Sequence, residues 1–186
     1  TGSVATSQSP ATYSVKARNG SYSSESNIVI SIYPVYRMYV TSTQFTGNIT
    51  ITAADTNCNS NANKPNSGTY KAMLVGSTRR ACITGYCLNG TSAIENFDWV
   101  FKPYASYFRT DGTTLIGKTD MSAMFSSFYY WTGIDTGYTN SSNNCSSWNS
   151  SSAGSFGIVG NSGTLSMYSN DVFACNTSNY LLCVEQ

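Results

Sequence analysis

The chain has 186 residues, enough for one domain of ordinary size plus an appendage. Charged residues are only 10% of it, 14 residues are tyrosine, and Ser, Thr, Asn and Gly are abundant, which fits a β-rich secreted or surface-exposed protein and excludes a disordered chain. A net charge of +1 gives no global attraction to nucleic acid or to a membrane surface, and no apolar run approaches the ~20 residues that span a bilayer, so the chain reads as not membrane-spanning.

No basic stretch followed by an apolar one opens the sequence, which places any signal peptide outside it. Residues 12–32 alternate. Tyr13, Val15 and Ala17 share one face, Asn19-Gly20 turns, and Ile28, Ile30 and Ile32 share a face, the signature of a β-hairpin. The hairpin resembles the last two strands of a bacterial Ig-like domain. Pro34 breaks the second strand, so residues 1–34 form a hairpin appendage, stalk remnant or linker, and residues 35–186 the main domain.

The main domain opens with a strand over 36–43, in which Tyr36, Met38 and Val40 alternate with Arg37, Tyr39 and Thr41. Ile51, Ala54, Cys58 and Ala62 recur at helical spacing, predicting a helix over 50–62 with Cys58 on its buried side; the β-branched residues 49–52 weaken its start. Residues 64–68 form a loop, 70–75 a short strand, and the aromatic-rich segment 97–101 joins the core. Asp111-Gly112 marks a turn. Residues 119–128 predict a short helix capped by Thr119 or Asp120, with Met121, Met124, Phe125 and Phe128 inward. Residues 129–134 read as a strand entering a tight turn, and 135–163 as a long polar loop. Residues 180–184 read as a buried last strand.

Six cysteines stand at positions 58, 82, 87, 145, 175 and 183, with no CxxC pair and no histidine anywhere. Zinc would need thiolates alone at unsuitable spacings, so disulfides in an oxidising compartment are the better reading. Six cysteines allow fifteen pairings; Cys82 and Cys87 are close enough to close a small loop around residues 83–86. Charge is uneven. Residues 64–118 hold seven bases against three acids, whereas 119–186 hold Asp120, Asp135, Asp171 and Glu185 and no base. Arg79, Arg80, Lys102 and Arg109 are therefore candidates for a polyanion-binding patch centred on Arg79-Arg80.

Several ordered motifs carry a resemblance. The early Cys58, Trp131-Thr132-Gly133-Ile134, the long loop, Cys145-Ser146-Ser147-Trp148, Cys175 and Cys183 together resemble the C-type lectin-like fold. Ala53-Ala54-Asp55 before Cys58, the run from Asn63 to Ala72, Asp98-Trp99-Val100, the run from Asp111 to Gly117, Tyr130-Trp131-Thr132-Gly133 and Leu181 to Gln186 resemble the leptospiral endostatin-like family. The resemblance covers about residues 37–186. It implies an α+β, C-type lectin-like or endostatin-like fold with mixed antiparallel sheets, one or two short helices and a long polar loop. It also implies Cys58–Cys183 and Cys145–Cys175 bridges, leaving Cys82–Cys87 as a local one.

What the family resemblance implies is binding: adhesion to host or target-cell surface proteins, such as matrix laminin and fibronectin, plasminogen or the complement regulator factor H, from a place on the outer membrane's external face, a fibre tip or in secretion. Calcium-dependent lectins of this fold carry Glu-Pro-Asn or Gln-Pro-Asp and Trp-Asn-Asp triplets, and neither occurs here. Endostatin's zinc ligands are histidines, so no metal or other cofactor is expected. Trp131 and Trp148 occupy motif positions that are more often core. Tyr129, Tyr138, Trp148 and Tyr168 are the aromatic candidates beside the loop, with Asn140, Asn143 and Asn144 as hydrogen-bonding partners. No catalytic residue is marked: there is no histidine base and no spaced carboxylate pair, so the chain reads as no enzyme. Alternatives to the adhesin are a metal-independent lectin for glycans or glycosaminoglycans and a structural cap that ends a fibre or holds an oligomer.

Overall fold

The computed structural model describes residues 8–32, 34–85, 95–102, 105–119, 130–135, 139–160 and 171–186. It divides into two units, Thr1–Pro34 and Val35–Gln186. In the first, β1 (Gln8–Asn19) and β2 (Tyr22–Ile32) pair antiparallel, with Asn19 opposite Tyr22 and Tyr13 opposite Ile28. The turn therefore centres on Gly20 and Ser21, one residue later than the sequence predicts, because Gly20 at φ +58° supplies the left-handed first position such hairpins need. The register slips between Gln8 and Ala11, around Pro10, a residue with no N–H to give a ladder.

The second unit is α+β. Its larger sheet has the order β4-β10-β3-β5-β6, built from β3 (Val35–Val40), β4 (Tyr70–Ala72), β5 (Ser106–Phe108), β6 (Leu115–Lys118) and β10 (Leu182–Glu185). β10 lies antiparallel between β3 and β4, and β3 runs parallel to β5. Both faces of the central strands are covered. Tyr39, Tyr70, Ala72 and Cys183 face one cluster with Ile51, Ala54 and Cys58; Met38, Leu182 and Val184 face the other with Met73, Val100, Phe101 and Tyr107. Burial on two sides is why Leu-Leu-Cys-Val reads as continuously apolar rather than alternating.

Helix α1 (Ile51–Ser60) starts where Thr50 Oγ1 accepts the Ala53 N–H at 3.2 Å, a side-chain cap that offsets the poor helix propensity of the β-branched start. It buries Ile51, Ala54 and Cys58, while Ala62 lies beyond its end and is exposed. A cystine ties Cys58 to Cys183 of β10, 125 residues away. The Tyr39 hydroxyl, whose burial and neighbouring Tyr70 push its pKa up, donates to the Cys58 carbonyl.

Helix α1 also finishes the sheet. Asn59 Oδ1 accepts the Tyr70 N–H at 2.9 Å and its Nδ2 donates to the Tyr70 carbonyl at 2.7 Å; Asp55 Oδ1 accepts the Ala72 N–H at 2.8 Å. Asp55 and Asn59 are one helical turn apart, ~6 Å along the axis, close to the ~6.8 Å between alternate strand residues. Two side chains thus serve the outer edge of β4 as a neighbouring strand would.

The smaller sheet, β7 (Tyr130–Trp131), β8 (Phe156–Gly160) and β9 (Val172–Ala174), has the order β7-β8-β9 and is antiparallel. β8 corrects the expectation of loop throughout 135–163. Gly157 to Gly160 are buried, but two glycines dilute the apolar signal and the flanks are serine-rich. β3 and β4 end at Val40 and Ala72, short of the predicted 43 and 75. In the aromatic segment Val100 and Phe101 are core, but Phe97 is exposed. Of the predicted helix 119–128, only Thr119 is described; its Oγ1 donates to the Lys102 carbonyl at 2.6 Å and accepts the Ala105 N–H at 2.8 Å.

Candidate binding surface

The segment after β7 is organised by a turn of unusual hand. Cys145, Ser146, Ser147 and Trp148 all have positive φ, from 51° to 64°. Four consecutive non-glycine residues in this region form one turn of left-handed helix, which costs ~1–2 kcal/mol per residue. Its two ends are fixed in the core. Cys145 is bonded to Cys175, beside β9. Trp148 is fully buried, and its indole Nε1–H donates to the Val75 carbonyl at 2.7 Å. Asn144 Oδ1 accepts the Ser147 N–H at 2.8 Å, and the Cys145 carbonyl accepts the N–H groups of Asn149 and Ser150 at 3.0 Å. Closing a ~30-residue loop and burying an indole are each worth a few kcal/mol, comparable to the cost of the turn.

Two glycines make room for this arrangement. A Cβ on Gly47 would overlap Cys145 Sγ. Gly133, at φ +67°, lies against Trp148 and the Val75 carbonyl, which explains a glycine directly after Trp131-Thr132.

The predicted loop residues fare differently. Trp148 is a correction: it is interior and presents no ring to a ligand, because Cys145 and the Val75 carbonyl hold it inward. Asn140 is exposed, with Nδ2 donating to the Gly76 carbonyl at 3.1 Å, and Asn143 is exposed, its carbonyl accepting the Ile158 N–H at 2.9 Å. Asn144 is half-buried as the cap of the left-handed turn. Tyr129, Tyr138 and Tyr168 lie outside the described residues. So does Cys87, the proposed partner of Cys82, which is itself disulfide-bonded.

The proposed basic patch needs the larger correction. Arg79 is 1% exposed. Its Nη1 and Nη2 meet the two Asp55 oxygens at 3.0 and 2.7 Å, its Nε and Nη2 meet Asp98 Oδ2 at 3.0 and 2.8 Å, and Nη1 also donates to the Ala72 carbonyl at 2.7 Å. A guanidinium with every nitrogen engaged in the interior has nothing to offer a polyanion. It clamps α1, β4 and the 97–101 segment together. Lys71 takes the other oxygen of Asp98. Burial, which favours the neutral acid, is outweighed at Asp98 by these two cations, so its pKa lies below the usual range. Lys102 is half-buried, its Nζ donating to Gln186 Oε1 at 3.2 Å, and burial, then Lys71, lower its pKa. Arg80 Nε donates to the Glu95 carbonyl at 3.1 Å, and Arg109 is exposed. Of the candidate centre Arg79-Arg80, Arg79 is therefore absent from the surface and Arg80 is half-buried.

The sequence reading passed over Phe156 and Val172, which are 48% and 43% exposed. Residues directly opposite share a face, so the pairs Phe156–Ala174 and Ile158–Val172 lie on one side of the small sheet, while Val159 and Phe173 pack into the core on the other. Alternation across Phe156-Gly157-Ile158 was the available signal. Exposed Asn143, Ser146, Asn149, Ser151 and Ser152 line the segment before β8 with small neutral polar groups. Among the described residues, no group of three or more His, Cys, Asp or Glu is placed to hold a metal, and no helix is long and apolar enough to cross a membrane.

A cystine-closed α+β domain, joined to a separate two-stranded unit, is thus what the fold and this surface define. The chain belongs to the family described as "Protein of unknown function (DUF1554)", whose pattern matches residues 42–165. No curated protein matches it.

Proposed function

We propose that residues 35–186 are the binding module of a bacterial cell-surface adhesin of C-type lectin-like or endostatin-like fold, recognising host or target-cell proteins of the matrix, complement-regulator or plasminogen type. It acts on the outer face of the outer membrane or in secreted or fibre-tip form, with the hairpin as the end of an Ig-like stalk. The observation that carries this reading is the left-handed turn at 145–148. Two core anchors hold it in a costly backbone conformation, and its exposed side is made of Ser and Asn next to Phe156. Strain maintained by the surrounding structure is a mark of functional segments, and small polar side chains beside exposed aromatics suit adaptable protein recognition. The cystines support an oxidising, extracytoplasmic setting. Burial keeps Trp148 from stacking on a sugar and Arg79 from meeting a glycosaminoglycan.

The test is surface plasmon resonance of the intact chain against purified laminin, fibronectin, plasminogen and factor H, with heparin and a glycan array in parallel. Saturable, chelator-insensitive binding to at least one of the proteins is expected. Binding to heparin or glycans with none to the proteins would replace this reading with the lectin.

A further inference from the structure

Two of the cystines are built into the domain in different ways. Cys58–Cys183 ties α1 to β10, the strand between β3 and β4, and both of its residues lie in the core. Cys145–Cys175 also lies in the core, but its Cys145 end is the first residue of the left-handed turn. Ser146, the next residue, is exposed at φ +56°. One bond joins two regular elements. The other joins the core to backbone in a conformation that L residues avoid.

The surroundings decide which end gives way when the second bond is cut. The backbone of Cys175 is held on both sides: its N–H donates to the Ser155 carbonyl at 2.9 Å, and its carbonyl accepts the Gly47 N–H at 2.8 Å. Gly47 packs so closely that an added Cβ would overlap Cys145 Sγ and Cys175 Cβ. Two thiols in contact need more room than a bonded pair of sulfurs. Gly47 closes one side, so the room is made at Cys145, where movement also relieves four left-handed residues. Loop closure points the same way. Bridges spanning 125 and 30 residues differ about eightfold in their hold on the unfolded chain, in favour of Cys58–Cys183.

We propose that Cys145–Cys175 is a site of thiol–disulfide exchange with a dithiol, and that its reduction releases the left-handed turn while Cys58–Cys183 stays closed. Local opening of the turn uncovers Cys145 Sγ. A thiolate of the dithiol attacks that sulfur, the bond to Cys175 breaks, and Cys175 leaves as a thiolate that takes up a proton. The second thiolate of the dithiol attacks its own sulfur in the mixed disulfide, and Cys145 leaves and is protonated in turn. The cystine gains two electrons and two protons, and the dithiol departs as a cyclic disulfide.

The test equilibrates the intact, natively folded chain with dithiothreitol at graded ratios of reduced to oxidised form. Thiols are trapped by alkylation and located by peptide mass. Cys145 and Cys175 should be labelled at a ratio at least tenfold below the one that labels Cys58 and Cys183. At that first step amide exchange should accelerate at Ser147, Asn149 and Ser150, whose N–H groups donate to Asn144 Oδ1 and the Cys145 carbonyl, while Tyr70 and Ala72 stay protected. A double variant, Ser146→Gly with Ser147→Gly, keeps every backbone group and removes the steric cost of positive φ at both positions. It should need at least fivefold more reductant at the first step. Labelling of all four cysteines at one ratio, labelling of Cys58 and Cys183 first, or unchanged exchange in the turn after the first step would overturn the proposal. So would a first step that the glycine substitutions leave unmoved. The order of labelling in the unmodified chain decides the matter if the variant does not fold. No ligand enters these measurements, so their failure leaves the adhesin reading standing, and failure of matrix-protein binding leaves the exchange site standing.

Discussion

The β4 and β9 edges of this domain are finished in opposite ways. At β4, Asp55 and Asn59 of α1 take up the outward backbone groups of Tyr70 and Ala72, and Arg79 locks the helix there. At β9, no hydrogen bond among the described residues takes up the outward groups of Val172, and Phe156 and Val172 are exposed. An unpaired edge invites association, and folded proteins generally blunt it with charge, brevity or cover. The domain uses ionic cover at the β4 edge, whereas β9 is only three residues long. Arg79, offered by the charge pattern as part of the centre of a binding patch, is spent on internal order, while Arg109 stays exposed.

The contrast can be broken most severely at its closed edge. Arg79→Ala leaves Asp55 and Asp98 without their buried partner and should cost about 3–5 kcal/mol, read from urea unfolding; a loss under ~1 kcal/mol would mean the clamp is dispensable. Trp148→Ala should cost about 3–5 kcal/mol by opening a cavity beneath the left-handed turn, and its near-ultraviolet circular dichroism should show whether the turn relaxes.

Acid should loosen the closed edge. Asp98 has a folded pKa below its unfolded value of about 3.9, so its contribution is complete above that value and lost as pH falls through the folded one. Glu95 behaves alike, its carboxylate held chiefly by the Thr84 N–H and hydroxyl, then by the Ile83 N–H. The melting temperature should therefore be flat above about pH 5 and fall below about pH 4. At the alkaline end, burial and then Glu185 push Tyr70 up to about 12. That contribution is held below the unfolded value of about 10 and lost as pH rises toward 12. The smallest stability change belongs to the open edge. Phe156→Ser, at an exposed position, should alter stability by no more than about 0.5 kcal/mol.

The elements with strong periodicity were legible in the sequence. Ile51, Ala54 and Cys58 lie on the buried side of α1, and the apolar run at the chain's end became β10 between two cores. Arg79 was misplaced because a charged residue in a basic segment reads as surface unless its partners are known, and Asp55 and Asp98 lie 24 and 19 residues away. Trp148 pointed both ways, to core by its motif position and to the surface by its polar neighbours; a left-handed turn of four non-glycine residues has no local sequence signal. β8 was missed because two of its five residues are glycine and its flanks are serine-rich, which leaves the Phe156-Gly157-Ile158 alternation short and weak. The edge of β9 is a property of pairing, visible only once strand order is known.

The most direct measurement is native-state amide hydrogen exchange in the free chain, compared between Tyr70 and Ala72 on one edge and Val172 and Ala174 on the other. The account predicts that Tyr70 and Ala72 exchange slowly, near the rate set by global unfolding, while Val172 and Ala174 exchange as open amides. Equal protection at the two edges would contradict it.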